Sequence, residues 1–232
     1  MNRSNSRLLV IAPHPDDEIL GAGGTMARFA RAGGRVTVLT VAAHMPPLYP
    51  PEVHERTVAE ARRAHAAVGV EESVFLDYPA VCMTQSPIWE LNAKILDVVR
   101  RVDPHVVLLP YPDRHVDHRL VFDGAMVAVR PRGAARSIRV VAAYETLSET
   151  HWNAPHVEPN FVPNWCVDIT DVLATKLDAM ACYASQVHEY PEPRSLEALK
   201  ALALFRGSQH GFGYGEGFHV IRMVAAPEEL TA

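Results

Sequence analysis

The sequence predicts an α/β protein of the Rossmann-like kind, a mostly parallel sheet flanked by helices, folded as a single domain over residues 1–232. Three observations predict it. Short, unbroken apolar runs recur, the mark of strands buried on both faces of a sheet. Longer amphipathic stretches separate them, so strand alternates with helix. No repeat, linker or low-complexity tract divides the chain.

Residues 8–12 form the first apolar run, and 19–32 the helix after it, stopped by Gly33-Gly34. Residues 35–42 are a β-branched strand. Over 52–68, Val53, Val58, Ala61, Ala64 and Val68 fall near helical spacing. Residues 73–76 read as a short strand. A helix over 86–102 opens with Ser86-Pro87, an N-cap followed by proline at the first helical position. Residues 106–109 are a buried strand, 117–129 a helix and 138–144 a fifth strand. The rest is less regular. Residues 151–164 are rich in proline and asparagine and read as a long loop. Residues 171–183 and 195–205 read as helices, the glycine-rich stretch 207–217 as a loop, and 218–224 as a last strand. Such alternation implies right-handed crossovers and a parallel sheet.

Hydrophobic residues make up 48% and charged residues 21%, which excludes disorder as the main state. The 22 Lys and Arg stand against 27 Asp and Glu, a formal charge of -5. That surface gives no help in binding nucleic acid or an anionic membrane, and neither is expected as a partner. The run at 8–12 is too short for a signal-peptide core or a bilayer span. Cys82, Cys166 and Cys182 are widely spaced, with no CxxC pair. They read as reduced, mostly buried thiols of a cytoplasmic protein.

Two acidic-histidine clusters stand out. His14-Pro15-Asp16-Asp17-Glu18 follows the first strand, and Pro15 keeps His14 out of helical geometry, in the strand-to-helix loop. Asp113-Arg114-His115-Val116-Asp117-His118 follows the fourth strand. Helix capping accounts for one or two carboxylates in each, with Asp117 as N-cap in the second. It does not account for a histidine beside three acids. In a sheet of order 3-2-1-4-5 the first and fourth strands are neighbours, and ligands bind at their carboxyl ends, where the chain reverses direction. The topology therefore brings the clusters together. Their pooled imidazoles and carboxylates suit a zinc-type site with three protein ligands and an open position. Iron(II) or another divalent metal fits the same donors.

The strand ending in Ala12-Pro13-His14-Pro15-Asp16-Asp17-Glu18, followed by Gly21-Ala22-Gly23-Gly24-Thr25, resembles the LmbE-like, or PIG-L, family of metal-dependent de-N-acetylases. That family includes the deacetylases of mycothiol and bacillithiol biosynthesis. Its second motif, His-x-Asp-His, matches His115-Val116-Asp117-His118. Arg56 with Glu60, Lys176 with Ser185-Gln186, and Arg206-Gly207 agree more loosely. The resemblance implies His14, Asp17 and His118 as metal ligands and Asp16 as general base. It implies His115 as an electrostatic or acid partner, Asp117 as the residue that orients it, and Arg56 as a hold on the substrate. The implied reaction is hydrolysis of an N-acetyl amide on a small molecule, an amino sugar or sugar conjugate. The family also contains homo-oligomers.

This chemistry makes physical sense. A bound zinc ion lowers the pKa of its water from about 15.7 to about 7 and polarises the amide carbonyl. A carboxylate beside a ligand can take the water proton. A protonated His115, held by Asp117, would face the charge that develops on oxygen.

The chain departs from the family pattern in two places. Some members carry a tyrosine where Asp113 stands, and Tyr111 is the nearest substitute. Relatives acting on sugars often have an acidic, glycine-containing turn after the third strand, where this chain has Leu76-Asp77-Tyr78-Pro79-Ala80. Both departures leave open a larger N-acyl, thiol-conjugate or antibiotic-intermediate substrate. A non-hydrolytic nucleotide-binding protein is the remaining alternative. It is weakened by the absence of a clearly placed acid after the second strand.

Other features read as structural. Gly21, Gly23 and Gly24 pack the first helix on the sheet. His44, His54, His65, His151 and His188 lack partner spacing, although His44 follows the second strand at the crevice mouth. Phe205 and Phe212 pack, and the proline-rich stretch 45–51 is a stiff rim loop.

Overall fold

The computed structural model describes residues 6–225. The opening residues 1–5 and the closing residues 226–232, included above in the single-domain reading, lie outside the described residues.

The strands are β1 (Arg7–Ala12), β2 (Arg35–Ala43), β3 (Glu72–Pro79), β4 (Val106–Pro110), β5 (Val140–Tyr144), β6 (Trp165–Asp168) and β7 (Gly215–Met223). The α-helices are α1 (Asp17–Arg31), α2 (Pro51–Ala67), α3 (Ile88–Val102), α4 (Val116–Ala128), α5 (Leu173–Ala181) and α6 (Leu196–Ser208). One sheet runs β3-β2-β1-β4-β5-β7-β6. Its first five members are parallel, in the expected order. β7 then pairs antiparallel with both β5 and β6.

The antiparallel end corrects the expectations for the tail. β6 is a strand that the alternation of patterns did not reveal. The stretch 207–217 is not one loop: Gly207 belongs to α6, and Gly215 and Gly217 belong to β7. In β7, the backbone at Gly217 pairs with Cys166 and that at Gly215 with Asp168. The three cysteines are unpaired, but each is half-buried rather than buried.

Period-two alternation places the core on both sheet faces. Leu8 and Val10 pack with Met26 of α1, Ala61 of α2 and Met180 of α5. Leu9 and Ile11 face the other way, toward Ile95 of α3 and Val121 of α4. No helix among the described residues is long and apolar enough to cross a membrane.

Two features fix α1 against the sheet. A Cβ at Gly21 would fall 2.1 Å from Cδ2 of Tyr144, and one at Gly24 would fall 2.7 Å from Cγ2 of Ile169. The Tyr144 hydroxyl donates to the Ile11 carbonyl at 2.9 Å, so the ring cannot swing aside cheaply. Farther along, Glu216 of β7 accepts from the Gly24 and Thr25 amides at 2.8 and 2.7 Å, and from the Thr25 hydroxyl at 2.6 Å. The Lys176 ammonium joins Glu216 at 2.5 Å and donates to the Leu20 carbonyl at 2.9 Å. The charge pair is buried and its hydrogen bonds are satisfied, the condition under which it can be tolerated.

Gly21→Ala should therefore destabilise the protein by about 1–3 kcal/mol through overpacking against Tyr144. Denaturant midpoints of the variant and the parent check this, and an unchanged midpoint would mean that the ring yields.

Candidate active site

β1 and β4 pair from Leu8↔Val106 to Val10↔Leu108, so the loops after them leave the sheet side by side. The first loop carries His14 to Asp16. The second carries Asp113 and Arg114 and ends in His115, which caps α4. His115 rather than Asp117 is thus the N-cap: its Nδ1 accepts the Asp117 amide at 3.1 Å.

The two clusters meet. Asp17 Oδ2 lies 3.1 Å from His14 Nδ1 and 3.3 Å from His118 Nε2. The His14 and His118 ring centroids are 5.5 Å apart, and His115 lies 4.6 Å from the first and 5.0 Å from the second. One ring nitrogen each from His14, His115 and His118 fits within 4.8 Å. Asp17 and His118 have no solvent exposure, and His14 has almost none.

Asp117 does not orient His115 in the expected way. Its carboxylate reaches His14 Nε2 at 2.9 Å and accepts the Val81 amide at 2.7 Å. Orientation of His115 comes instead from the Asp117 main-chain N–H. An Nδ1 that accepts leaves the ring proton on Nε2. Burial, with the charges of His14 and His118, pulls the His115 pKa down to about 4, so the ring is neutral at pH 7 rather than protonated.

Asp113 holds His118. Its Oδ2 sits 3.0 Å from His118 Nδ1 and accepts the Thr150 hydroxyl at 2.9 Å, while Oδ1 accepts the His115 amide at 3.0 Å. This is the carboxylate–histidine arrangement that fixes a ligand imidazole and directs its other nitrogen. Tyr111 does not substitute for the tyrosine of relatives, because its hydroxyl donates to the Pro159 carbonyl at 3.0 Å.

Asp16 sits at φ 121, a left-handed backbone that a non-glycine residue adopts only under constraint. Its amide donates to Glu18 Oε2 at 3.2 Å. Glu18 is in turn held by the Tyr183 hydroxyl at 2.5 Å and lies 3.3 Å from His65 Nε2. Burial lifts the Asp16 carboxyl to about 7, against the pull of Arg194 and with the push of Asp17 and Glu18.

The residues fit a divalent cation. Among the described residues, Asp17 Oδ1, His118 Nε2 and both Asp16 oxygens are buried without a hydrogen-bond partner. Buried polar atoms of this kind want a ligand. The charges agree. Burial disfavours the His14 cation, yet hydrogen bonds to Asp117 and Asp17 raise its pKa to about 9. Burial likewise opposes charge on His118, and Asp17 and Asp113 raise it to about 10. Four buried aspartates make a pit of negative potential.

Beside the pit opens a cavity of about 400 Å³, lined by His14, His115, His44, Tyr49, Arg56, Val81, Glu149, Ser185, Gln186 and Arg194 among others. Arg56 stands exposed on its lip, without a hydrogen bond or ion pair among the described residues. Glu60, one turn on, accepts the Ser185 amide at 3.1 Å and its hydroxyl at 2.5 Å, which holds the Ser185-Gln186 wall. His44 lines the mouth as expected, its ring 4.8 Å from Tyr49. Sequence reasoning missed Glu149, Tyr49 and Arg194. It counted Asp113 in the second cluster and noted it where some relatives carry a tyrosine, but gave it no role, although an acid two residues before His115 was a usable signal. Arg194 left none.

Imidazole and carboxylate atoms without partners, inside an acidic pit at the carboxyl ends of parallel strands, define an α/β protein with a site able to hold a metal ion. A family model described as PIG-L, GlcNAc-PI de-N-acetylase, matches residues 9–129, which include both clusters. Diacetylchitobiose deacetylase of Thermococcus kodakarensis is 31% identical over 231 positions, covering 93% of this chain and 83% of that protein. A 1D-myo-inositol 2-acetamido-2-deoxy-alpha-D-glucopyranoside deacetylase of Thermobifida fusca is 26% identical and covers 77% of this chain and 79% of its own. The solved structure of N,N'-diacetylchitobiose deacetylase from Pyrococcus horikoshii superposes with a TM-score of 0.73 at 25% identity, over 94% of this chain and 84% of that one. The chain belongs to the PIG-L, or LmbE-like, family. It is an N-deacetylase, a hydrolase of amide C–N bonds.

Two outcomes follow from this geometry. Removing the Asp113 carboxylate in Asp113→Ala should weaken metal affinity by about 10–100-fold, as loss of such supporting contacts does; competition with a chromophoric chelator measures it. In metal-free protein, His14 and His118 titrate at about 9 and 10, above their ordinary 6.5. A raised folded pKa stabilises fully below pH 6.5, and its contribution is lost as pH climbs through 9 to 10. Melting temperatures of chelator-treated protein should therefore fall across that window.

Proposed function

We propose that this protein removes the acetyl group from an N-acetylated amino sugar or sugar conjugate, with a resident zinc ion. The observation that carries this reading is the unpartnered donor set of Asp17 and His118, with His14 beside it, next to an open cavity. The named activities of the relatives supply the acetyl-amide and amino-sugar part. His14, Asp17 and His118 would hold the metal.

Such an ion, when bound, lowers the pKa of water from about 15.7 to about 7 and polarises the amide carbonyl. The protein's own groups do the rest. Asp16, with its carboxyl near 7, is matched to neutral pH: it takes the proton from the attacking water and returns it to the amine nitrogen as the C–N bond breaks. His115 presents a neutral Nε2–H to the amide oxygen as negative charge develops there. Asp117 keeps that tautomer through its main-chain N–H and steadies His14 through its carboxylate. Arg56 offers free donors to substrate hydroxyls on the cavity lip. The three unpaired thiols fit a reducing cytoplasm.

A larger acyl group or a bulkier conjugate is the second reading. Ala80 and Val81 favour it, because they give the cavity an apolar patch that an acyl chain could lie against.

Acetate release from N-acetylglucosamine derivatives, before and after complete metal removal, tests the reaction. Activity that survives metal removal refutes it. Re-addition of zinc or iron(II) identifies the metal, and a panel of acyl lengths separates the two substrates. Asp16→Asn should keep its metal by elemental analysis while turnover falls by about 10²–10⁴-fold.

A further inference from the structure

Arg194 lies just before Ser195, whose hydroxyl caps α6 by accepting the Ala198 amide at 3.2 Å. That cap anchors the backbone on which Arg194 stands. Its guanidinium reaches back to the N-terminal cluster and sits 3.2 Å from Asp16 Oδ2. The Arg194 side chain is 23% exposed and that of Asp16 is 1% exposed, and Arg194 forms part of the cavity wall. The guanidinium therefore touches both the buried carboxylate and the cavity. Asp16 makes no other ion pair among the described residues.

A carboxylate in this place has an easier partner. Asp16 is the N-cap of α1, where an aspartate ordinarily accepts from the free amides of the first turn. Here the side chain makes no capping bond, and neither oxygen has a hydrogen-bond partner. The residue forgoes a cap and sits in a strained backbone, which persists only when the surroundings over-determine it. Glu18 takes the Asp16 amide and so holds the backbone. The one group that holds the carboxylate lies about 180 residues away in sequence, a distance at which neither local pattern nor the helix itself could supply it.

We propose that Arg194 is a positioning residue for Asp16. Its guanidinium keeps the carboxylate off the α1 amides and turned toward the cavity, where water and substrate meet. This rests on Asp16 being the general base. A planar guanidinium with five donors suits the task better than an ammonium, since it can engage Asp16 on one edge and the cavity on another.

The test compares Arg194→Ala, Arg194→Gln and Asp16→Asn with the parent enzyme for kcat, KM, metal content and melting temperature. In Arg194→Ala, kcat should fall about 100-fold, the loss that a misplacement of about 1 Å brings. KM and metal content should hold, and the variant should stay folded at the assay temperature, its melting temperature lowered by the loss of a partly buried ion pair. Guanidinium ion at low millimolar levels should restore part of the lost kcat to Arg194→Ala and none to Asp16→Asn. Should the alanine variant not fold, Arg194→Gln keeps the stem and is read the same way. A raised KM with kcat intact would make Arg194 a substrate contact and overturn the proposal. Unchanged kinetics, or a loss of activity matched by loss of metal or fold, would overturn it too. Normal turnover by Asp16→Asn would instead defeat the general-base reading on which it stands.

Discussion

The parallel pairing of β1 with β4 is the constraint on which the site depends. Leu8 stands against Val106 and Val10 against Leu108, so both strands end at one level of the sheet. The loops that leave them start from neighbouring points, and residues 103 positions apart, His14 and Asp117, come within 2.9 Å. A slip of one residue would turn each strand's side chains to the opposite face. It would also carry Leu9 and Ile11 out of one core cluster and into the other. Core packing and site geometry are therefore specified by the same register.

That register creates an electrostatic problem with a chemical use. Asp16, Asp17, Asp113 and Asp117 are all buried within two short loops and the helix starts after them. The α1 N-terminus favours Asp17, but a helix end offsets only part of the cost of taking charge out of water. The imidazoles of His14 and His118 answer the remainder as cations. A divalent ion can do the same work with one compact charge, releasing protons as it binds. The neutral state of His115, an N-cap rather than an ion-pair partner, keeps one imidazole out of that exchange.

The parallel half of the sheet was legible because each strand is a continuous apolar run and each crossover an amphipathic stretch. Both clusters were legible because strand ends and proline punctuate them. The antiparallel end was not. β6 spans only Trp165–Asp168 and follows an irregular loop, and the glycines of β7 mimic loop composition. Within the site, the residue types were visible but not their division of labour. His115 and Asp117 lie two positions apart, and only the backbone decides that the imidazole accepts from the amide while the carboxylate turns to another strand's loop. Long-range partners such as Arg194 and Glu216 had no local signature, since their roles exist only across the fold.

Glu216 also bears on how the protein is made. The amides of Gly24 and Thr25 in α1 meet a carboxylate encoded 191 residues or more downstream. A ribosome that has extruded both histidine clusters has not yet produced the side chain that completes the middle of the first helix. The helix bearing Asp17 has its full set of contacts only with β7 in place. A chain cut short before Glu216 would therefore leave those two amides and the Lys176 ammonium without their shared carboxylate.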